Sequence, residues 1–118
     1  MTKKGIWISY DFGLKGDFTG LFTWLDNQNA VECGNGLAFF LYDTSKINVR
    51  VDCSDLIKHI SKDIKGAVKL SKTDRVYIIV KDSQSNKVKG KFINGSRKQS
   101  PWEGYGKLKD GNIEDSEE

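Results

Sequence analysis

Residues 5–25 read GIWISYDFGLKGDFTGLFTWL, and two different periodicities meet within them. Apolar residues occupy every second position from Ile6 to Tyr10, which is the pattern of a β-strand with one buried face. Beyond a loop with two glycines, apolar side chains recur at the helical spacing i, i+3, i+4, i+7, at Phe18, Leu21, Phe22 and Leu25. We therefore predict a strand over residues 5–11 and a helix over about 18–29.

Four further segments of the chain have strand patterns, and one has a helical pattern. Residues 37–42 are continuously apolar and residues 47–52 alternate, so we predict that these two strands form a hairpin. A helix with a lysine-rich outer flank follows from a cap at Ser54. Residues 74–82 are rich in β-branched and aromatic side chains, and residues 87–93 alternate with lysines that are typical of an edge strand.

This order of elements predicts an α+β fold. It is a ferredoxin-like βαββαβ sandwich with an added fifth strand, in which two helices cover one face of an antiparallel sheet. Right-handed crossovers place the first strand beside the strand over residues 74–82, in the middle of the sheet. We expect one domain over residues 1–106, including a basic C-terminal extension, and an acidic, disordered tail over residues 107–118.

The composition of the 118-residue chain is typical of a soluble protein with one domain. Charged residues make up 30% of it, and no apolar run reaches the roughly 18 to 20 residues of a membrane helix. The N-terminal segment does not have the pattern of a signal peptide. Cys33 and Cys53 have neither a C-x-x-C spacing nor the number that a disulfide framework needs, so we expect reduced thiols and a cytoplasmic protein with no membrane partner.

The charge of the chain is unevenly distributed. Its net charge is +3, yet the last nine residues contain five acidic side chains and no basic one, so the rest is strongly basic. Residues 87–109 combine cations with aromatic rings, an arrangement suited to the phosphates and bases of a nucleic acid. The alternative interpretation is a lysine-protected edge strand followed by solvated chain. The candidate binding residues are Lys87, Lys89, Lys91, Arg97, Lys98, Trp102 and Tyr105.

Two aspartates flank the glycine loop after the first strand. Asp11 ends the strand, where a carboxylate either accepts backbone N–H bonds in the following turn or serves metal or phosphate chemistry. Asp17 precedes the first helix and is explained by an N-cap role. A phosphate-binding P-loop is excluded, because no G-K-[ST] follows the glycines and Asp17 would repel the phosphate.

Three features resemble a known superfamily, the one that joins the small CRISPR adaptation dimer protein with virulence-associated protein D. They are Tyr10-Asp11 at the end of the first strand, the capped helix in GDFTGLFTWLD, and the strand DRVYIIV over residues 74–80; the added fifth strand is similar too. The resemblance implies a homodimer whose sheets meet through edge strands, with the last strand or the C-terminal segment crossing to the partner. It also implies that Asp11 is the catalytic and metal-binding residue in members that cleave RNA or DNA, paired with its copy around magnesium, an ion that prefers hard oxygen ligands.

Two functions from different classes follow. The first is a noncatalytic homodimeric module that binds nucleic acid, either RNA or DNA, or another anionic partner, in mobile-element or defence biology. The alternative is a magnesium-dependent endonuclease centred on paired Asp11. The first is favoured, because a single candidate carboxylate is a thin basis for catalysis.

Overall fold

The computed structural model describes residues 3–47, 52–82 and 86–108, which form a five-stranded antiparallel sheet and two long helices. The fold class is therefore α+β, as predicted. In chain order the elements are β1 (Lys3–Asp11), α1 (Phe18–Asn27), β2 (Val31–Glu32), β3 (Leu37–Asp43), a 3-10 helix (Thr44–Lys46), α2 (Cys53–Ala67), β4 (Arg75–Asp82), β5 (Lys87–Asn94) and the short α3 (Tyr105–Leu108).

The strands lie in the order β2-β3-β1-β4-β5 across the sheet. β1 is the central strand and pairs antiparallel with β3 on one side and β4 on the other. This confirms the predicted adjacency of the first strand and the strand over residues 74–82. The lysine-bearing β5 is an edge strand, also as predicted, and it pairs with β4 along its length.

The hairpin that the structure shows differs from the predicted one. β3 forms a hairpin with the two-residue β2 that precedes it, and the turn uses Gly34 and Gly36, both with positive φ. The backbone N–H of Tyr10 donates to the carbonyl of Gly36, and a side chain on Gly36 would clash with the Tyr10 carbonyl. The segment Gly34-Asn35-Gly36 is thus the tight turn that brings β3 back against β1.

The predicted strand over residues 47–52 falls mainly on residues 48–51, which lie outside the described residues. Of its ends, Ile47 closes the 3-10 helix and Asp52 caps α2 by accepting a hydrogen bond from the backbone N–H of Asp55 at 2.8 Å. The predicted cap at Ser54 is therefore wrong, because the helix already begins at Cys53. Residues 109–118 of the predicted acidic tail also lie outside the described part of the chain.

The hydrophobic core lies between one face of the sheet and the two long helices. Trp24 of α1 packs edge-on against Phe40 of β3, and its indole N–H donates to Asp63 of α2 at 2.8 Å, which joins the helices. The strand residues that face this core alternate with exposed positions because successive side chains point to opposite faces. The fully buried ones are Ile6, Ile8, Phe40, Val76, Ile78 and Val80. No helix in the described ranges is long and apolar enough to span a membrane.

Candidate functional site

The sheet face opposite the helices displays aromatic rings and arginines, and we call it the open face. Trp7 lies beside Phe39 across the β1–β3 pair, and their ring centroids are 4.8 Å apart. Tyr77 lies beside Phe92 across the β4–β5 pair, also with 4.8 Å between ring centroids. All four rings are only partly buried. The open face comprises Trp7, Phe39, Leu41, Arg75, Tyr77, Ile79 and Phe92, and Arg97 lies at its margin.

Each ring pair lies against a glycine of the sheet. An added Cβ on Gly5 would lie 3.3 Å from the Phe39 ring, and one on Gly90 would overlap the Tyr77 phenol. Glycine is otherwise unfavourable inside a strand, because it has no side chain to pack and loses much backbone entropy. Gly5 and Gly90 therefore make room for the Phe39 and Tyr77 rings beside the neighbouring strand.

One end of the open face contains a shallow cavity of about 270 Å³, and both arginines line it. The Arg75 guanidinium donates to the Asp11 carboxylate at 3.0 Å, while its Nε is buried with no hydrogen-bond partner among the described residues. The Arg97 guanidinium lies 6.0 Å from the centroid of the Phe92 ring, within the range of a cation–π contact. Cations and rings thus share one concave surface.

Asp74, which is buried, fixes the chain around this cavity. Its carboxylate accepts hydrogen bonds from the backbone N–H of Gly13 at 3.0 Å, from that of Ser71 at 2.9 Å, and from the Ser71 hydroxyl. Desolvation alone would raise the pKa of Asp74, but these hydrogen bonds outweigh it and lower the pKa. Because the Asn94 amide also donates to the Asp74 carbonyl, the ends of β1, β4 and β5 are held together.

Asp17 is a structural residue, as the sequence predicted. Its carboxylate accepts the N-cap hydrogen bond from Gly20 at 2.9 Å and a second one from the backbone N–H of Lys69 at 3.0 Å. The bond from Lys69, followed by the bond from Gly20, lowers the pKa of Asp17. The cap thereby also ties α1 to the segment that follows α2.

Asp11 lies at the end of the central strand, as predicted, but its partner is a cation. Its side chain is 61% exposed and is paired with Arg75. The described residues of one chain do not fit a magnesium centre here, because the Arg75 guanidinium paired with Asp11 repels a metal ion and Asp11 is the only described carboxylate that lines the cavity. Across the described ranges, no group of three or more His, Cys, Asp and Glu side chains is placed to hold a metal.

The structure divides the basic stretch predicted from the sequence between the two sides of the sheet. Three lysines of this stretch lie on the helix side of the sheet, namely Lys87, Lys89 and Lys91. In register they pair with Asp82, Val80 and Ile78, and the last two of these partners are fully buried in the core. Arg97 alone of the predicted cations joins the open face. The other three candidates are exposed beyond β5 and are not among the described residues that line the cavity with Arg97; they are Lys98, Trp102 and Tyr105.

None of the four rings is among the binding candidates that the sequence predicts, and neither is Arg75. A signal for them was present, because Trp7, Tyr77 and Phe92 occupy the strand positions that alternate with the core residues. Because the two predicted helices cover one face of the sheet, the other set of alternating positions lies on the face opposite the helices. Large rings at such positions are not explained by core packing.

No protein-family model matches the chain, and no curated protein or solved structure matches it at a significant level. Its function must therefore be argued from the geometry of the site.

Proposed function

We propose that this protein is a noncatalytic module that binds single-stranded nucleic acid on the open face. The observation that carries the proposal is the placement of two ring pairs, Trp7–Phe39 and Tyr77–Phe92, on the sheet face opposite α1 and α2. Arg75 and Arg97 line a cavity with the second pair. Aromatic side chains on such a surface bind unpaired bases by stacking, while adjacent cations bind the phosphates.

A single strand fits this surface better than a duplex. Base pairs in a duplex are stacked on one another, so their faces are closed to protein rings, whereas the bases of a single strand can be splayed out. The four rings lie in two adjacent rows of the sheet and offer room for roughly one base each. The basic character of the chain before its acidic end supports the choice of an anionic partner.

The strand order also supports the finer fold prediction. The main elements follow the chain order β1, α1, β2, β3, α2 and β4, and their strands lie in the sheet order β2-β3-β1-β4. This is the connectivity of a ferredoxin-like βαββαβ unit, and β5 is then the added strand. We include in the proposal the homodimer and the cytoplasmic location expected from the sequence. A dimer joined through edge strands would leave the open face accessible. Native mass spectrometry measures the dimer directly.

Alanine substitution of the rings tests the binding function. We expect Phe39→Ala and Phe92→Ala each to weaken binding of a fluorescent 12-nucleotide RNA or DNA by about 5- to 150-fold, the range for loss of one stacked base. The matched control is Phe22→Ala, which removes a half-exposed ring from α1 on the other side of the molecule. Absence of binding by the wild type, or an equal loss in the control, would overturn the proposal.

A cleavage assay on the same oligonucleotides separates binding from catalysis. We expect no magnesium-dependent cleavage, because Asp11, the one carboxylate that lines the cavity among the described residues, is paired with Arg75. Cleavage by the wild type that disappears in Asp11→Ala, with binding retained, would replace this proposal by the nuclease.

A further inference from the structure

A second basic surface lies on the helix side of the sheet, between α2 and β5. It is a groove with a volume of about 370 Å³, and we call it the lysine groove. Lys58, Lys62 and Lys65 line it from α2, and Lys91 lines it from β5, above a floor that includes Ile57 and Ile93. Among the described residues, none with an acidic side chain lines the groove.

The four lysines of the groove are not neutralised within the described part of the chain. The ion pairs found there join Lys4 to Asp82 and Arg75 to Asp11, and neither involves the groove. Asp63, the carboxylate nearest in sequence to Lys62, is engaged by the indole N–H of Trp24. Like charges in one groove repel each other, so an anion bound there would relieve a cost that the free protein carries.

The spacing of the lysines suits a chain of phosphates better than one small anion. Lys58, Lys62 and Lys65 follow one flank of α2, and at 1.5 Å per residue the row spans about 10 Å. Lys89 extends the basic edge, since its ammonium group donates to the Ser54 hydroxyl at the start of α2. The row is therefore long enough for two or three successive phosphates.

The lysine groove and the open face are connected. Phe92 lines both the groove and the cavity that contains Arg75 and Arg97, and it lies on the edge strand β5. A nucleic-acid strand that leaves the rings beside Phe92 can therefore pass over the edge of β5 and enter the groove. No other strand has to be crossed, because β5 is last in the sheet.

We propose that the lysine groove binds the phosphate backbone of the same nucleic-acid strand whose bases stack on the open face. This inference rests on the proposed function. It adds a division of roles, in which the rings bind bases and the groove binds phosphates through charge. It also predicts a path that wraps around β5, so that short oligonucleotides occupy the open face alone and longer ones reach the groove.

The test compares oligothymidylates of four and twelve nucleotides on three proteins. The groove variant combines Lys58→Gln, Lys62→Gln and Lys91→Gln. The control combines Lys15→Gln, Lys69→Gln and Lys72→Gln, which removes the same charge from exposed loop residues that line neither surface. Thermal unfolding confirms that both variants fold.

We expect the groove variant to bind the 12-mer about tenfold more weakly at low salt. The slope of log K against log salt should fall by about 1.4, which is about 0.7 for each of two lost phosphate contacts with a single strand. Binding of the four-nucleotide strand should be unchanged, and the control should bind both lengths within about threefold of the wild type, as loss of distant charge alters only long-range attraction.

Two outcomes would overturn the inference. Suppose that the groove variant binds the 12-mer with wild-type affinity and salt slope, while Phe39→Ala weakens binding of the 12-mer. The lysine groove then does not bind the strand, and the open face remains the proposed binding surface. If the groove variant weakens the four-nucleotide strand as strongly as the 12-mer, the wrapped path is wrong. Absence of wild-type binding to either length is instead a failure of the proposed function itself.

Discussion

The two faces of the sheet are built from alternate residues of the same strands, yet they differ in chemistry. In β4 the core face presents Val76, Ile78 and Val80, all fully buried, while the open face presents Arg75, Tyr77 and Ile79. Burial of the aliphatic face against α1 and α2 accounts for folding, since removal of apolar area from water is the main driving force. It does not account for the rings and arginines of the other face, which points to a role in binding.

The largest expected effect is a difference in unfolding free energy between substitutions on the core face and on the open face. Ile78→Ala should lower the free energy of unfolding by about 2–5 kcal/mol, because it leaves a cavity in a fully buried site. The neighbouring Ile79→Ala, on the open face, should cost about 1 kcal/mol, since its side chain is partly exposed. Urea unfolding measures both. Equal losses would show that the open face is buried as deeply as the core.

Asp74 holds the ends of β1, β4 and β5 together, and its removal should have the next largest effect on stability. We expect Asp74→Asn to cost about 1–3 kcal/mol at pH 7, because a buried acceptor of three hydrogen bonds is replaced by an amide. The folded state lowers the pKa of Asp74, so its stabilisation is present above the unfolded pKa of about 3.9 and is lost below it.

The pH dependence of unfolding distinguishes this role from simple packing. The difference in stability between wild type and Asp74→Asn should shrink as the pH falls below about 4, because the wild-type carboxylate becomes protonated. A difference that stays constant from pH 7 to pH 3 would contradict the assignment of the stabilisation to the charged form.

Alanine substitutions at two glycines, Gly90 and Gly66, should change the stability of the protein in opposite directions. Gly90→Ala should destabilise the protein by about 1 kcal/mol and weaken oligonucleotide binding, because the new methyl group displaces the Tyr77 ring. Gly66→Ala should stabilise it by about 0.5–1 kcal/mol with binding unchanged, since open space surrounds that position in α2. Thermal unfolding and fluorescence anisotropy measure the two properties. Unchanged binding in Gly90→Ala would argue against a binding role for Tyr77.

The smallest expected effect concerns Asp11. Asp11→Ala should change stability by less than about 1 kcal/mol, because the Asp11 side of its ion pair with Arg75 is 61% exposed to solvent. It should strengthen nucleic-acid binding by a few-fold, since a negative charge is removed and the Arg75 guanidinium is freed for phosphate. Weaker binding in this variant would show that the carboxylate itself takes part in recognition.

The sequence predicted those parts of the fold that depend on periodicity and missed those that depend on short turns. The alternation in β1 and β4 and the Asp17 cap are local signals, and the structure confirms them. The two-residue β2 carries no periodicity, so the Gly34–Gly36 turn was not assigned to a hairpin. The cap of α2 was predicted two residues too late, at Ser54 instead of Asp52, because both are good capping residues.

The candidate site was predicted less well than the fold. Cations and rings close in sequence, such as Lys91 and Phe92, were grouped together, although neighbours in a strand point to opposite faces. The pairing of Trp7 with Phe39 joins residues from different strands and depends on the register of β1 and β3. Register is set by the whole sheet, so it could not be derived from either segment alone.

Crosslinking is the most direct test of the claim that the open face binds nucleic acid. A 12-nucleotide strand with photoreactive uridines would be irradiated with the wild-type protein, and the crosslinked peptides would be identified by mass spectrometry. We expect crosslinks at Trp7, Phe39, Tyr77 and Phe92. Crosslinks confined to the α1 rings Phe18 and Phe22, or to Trp102 and Tyr105 beyond β5, would contradict it.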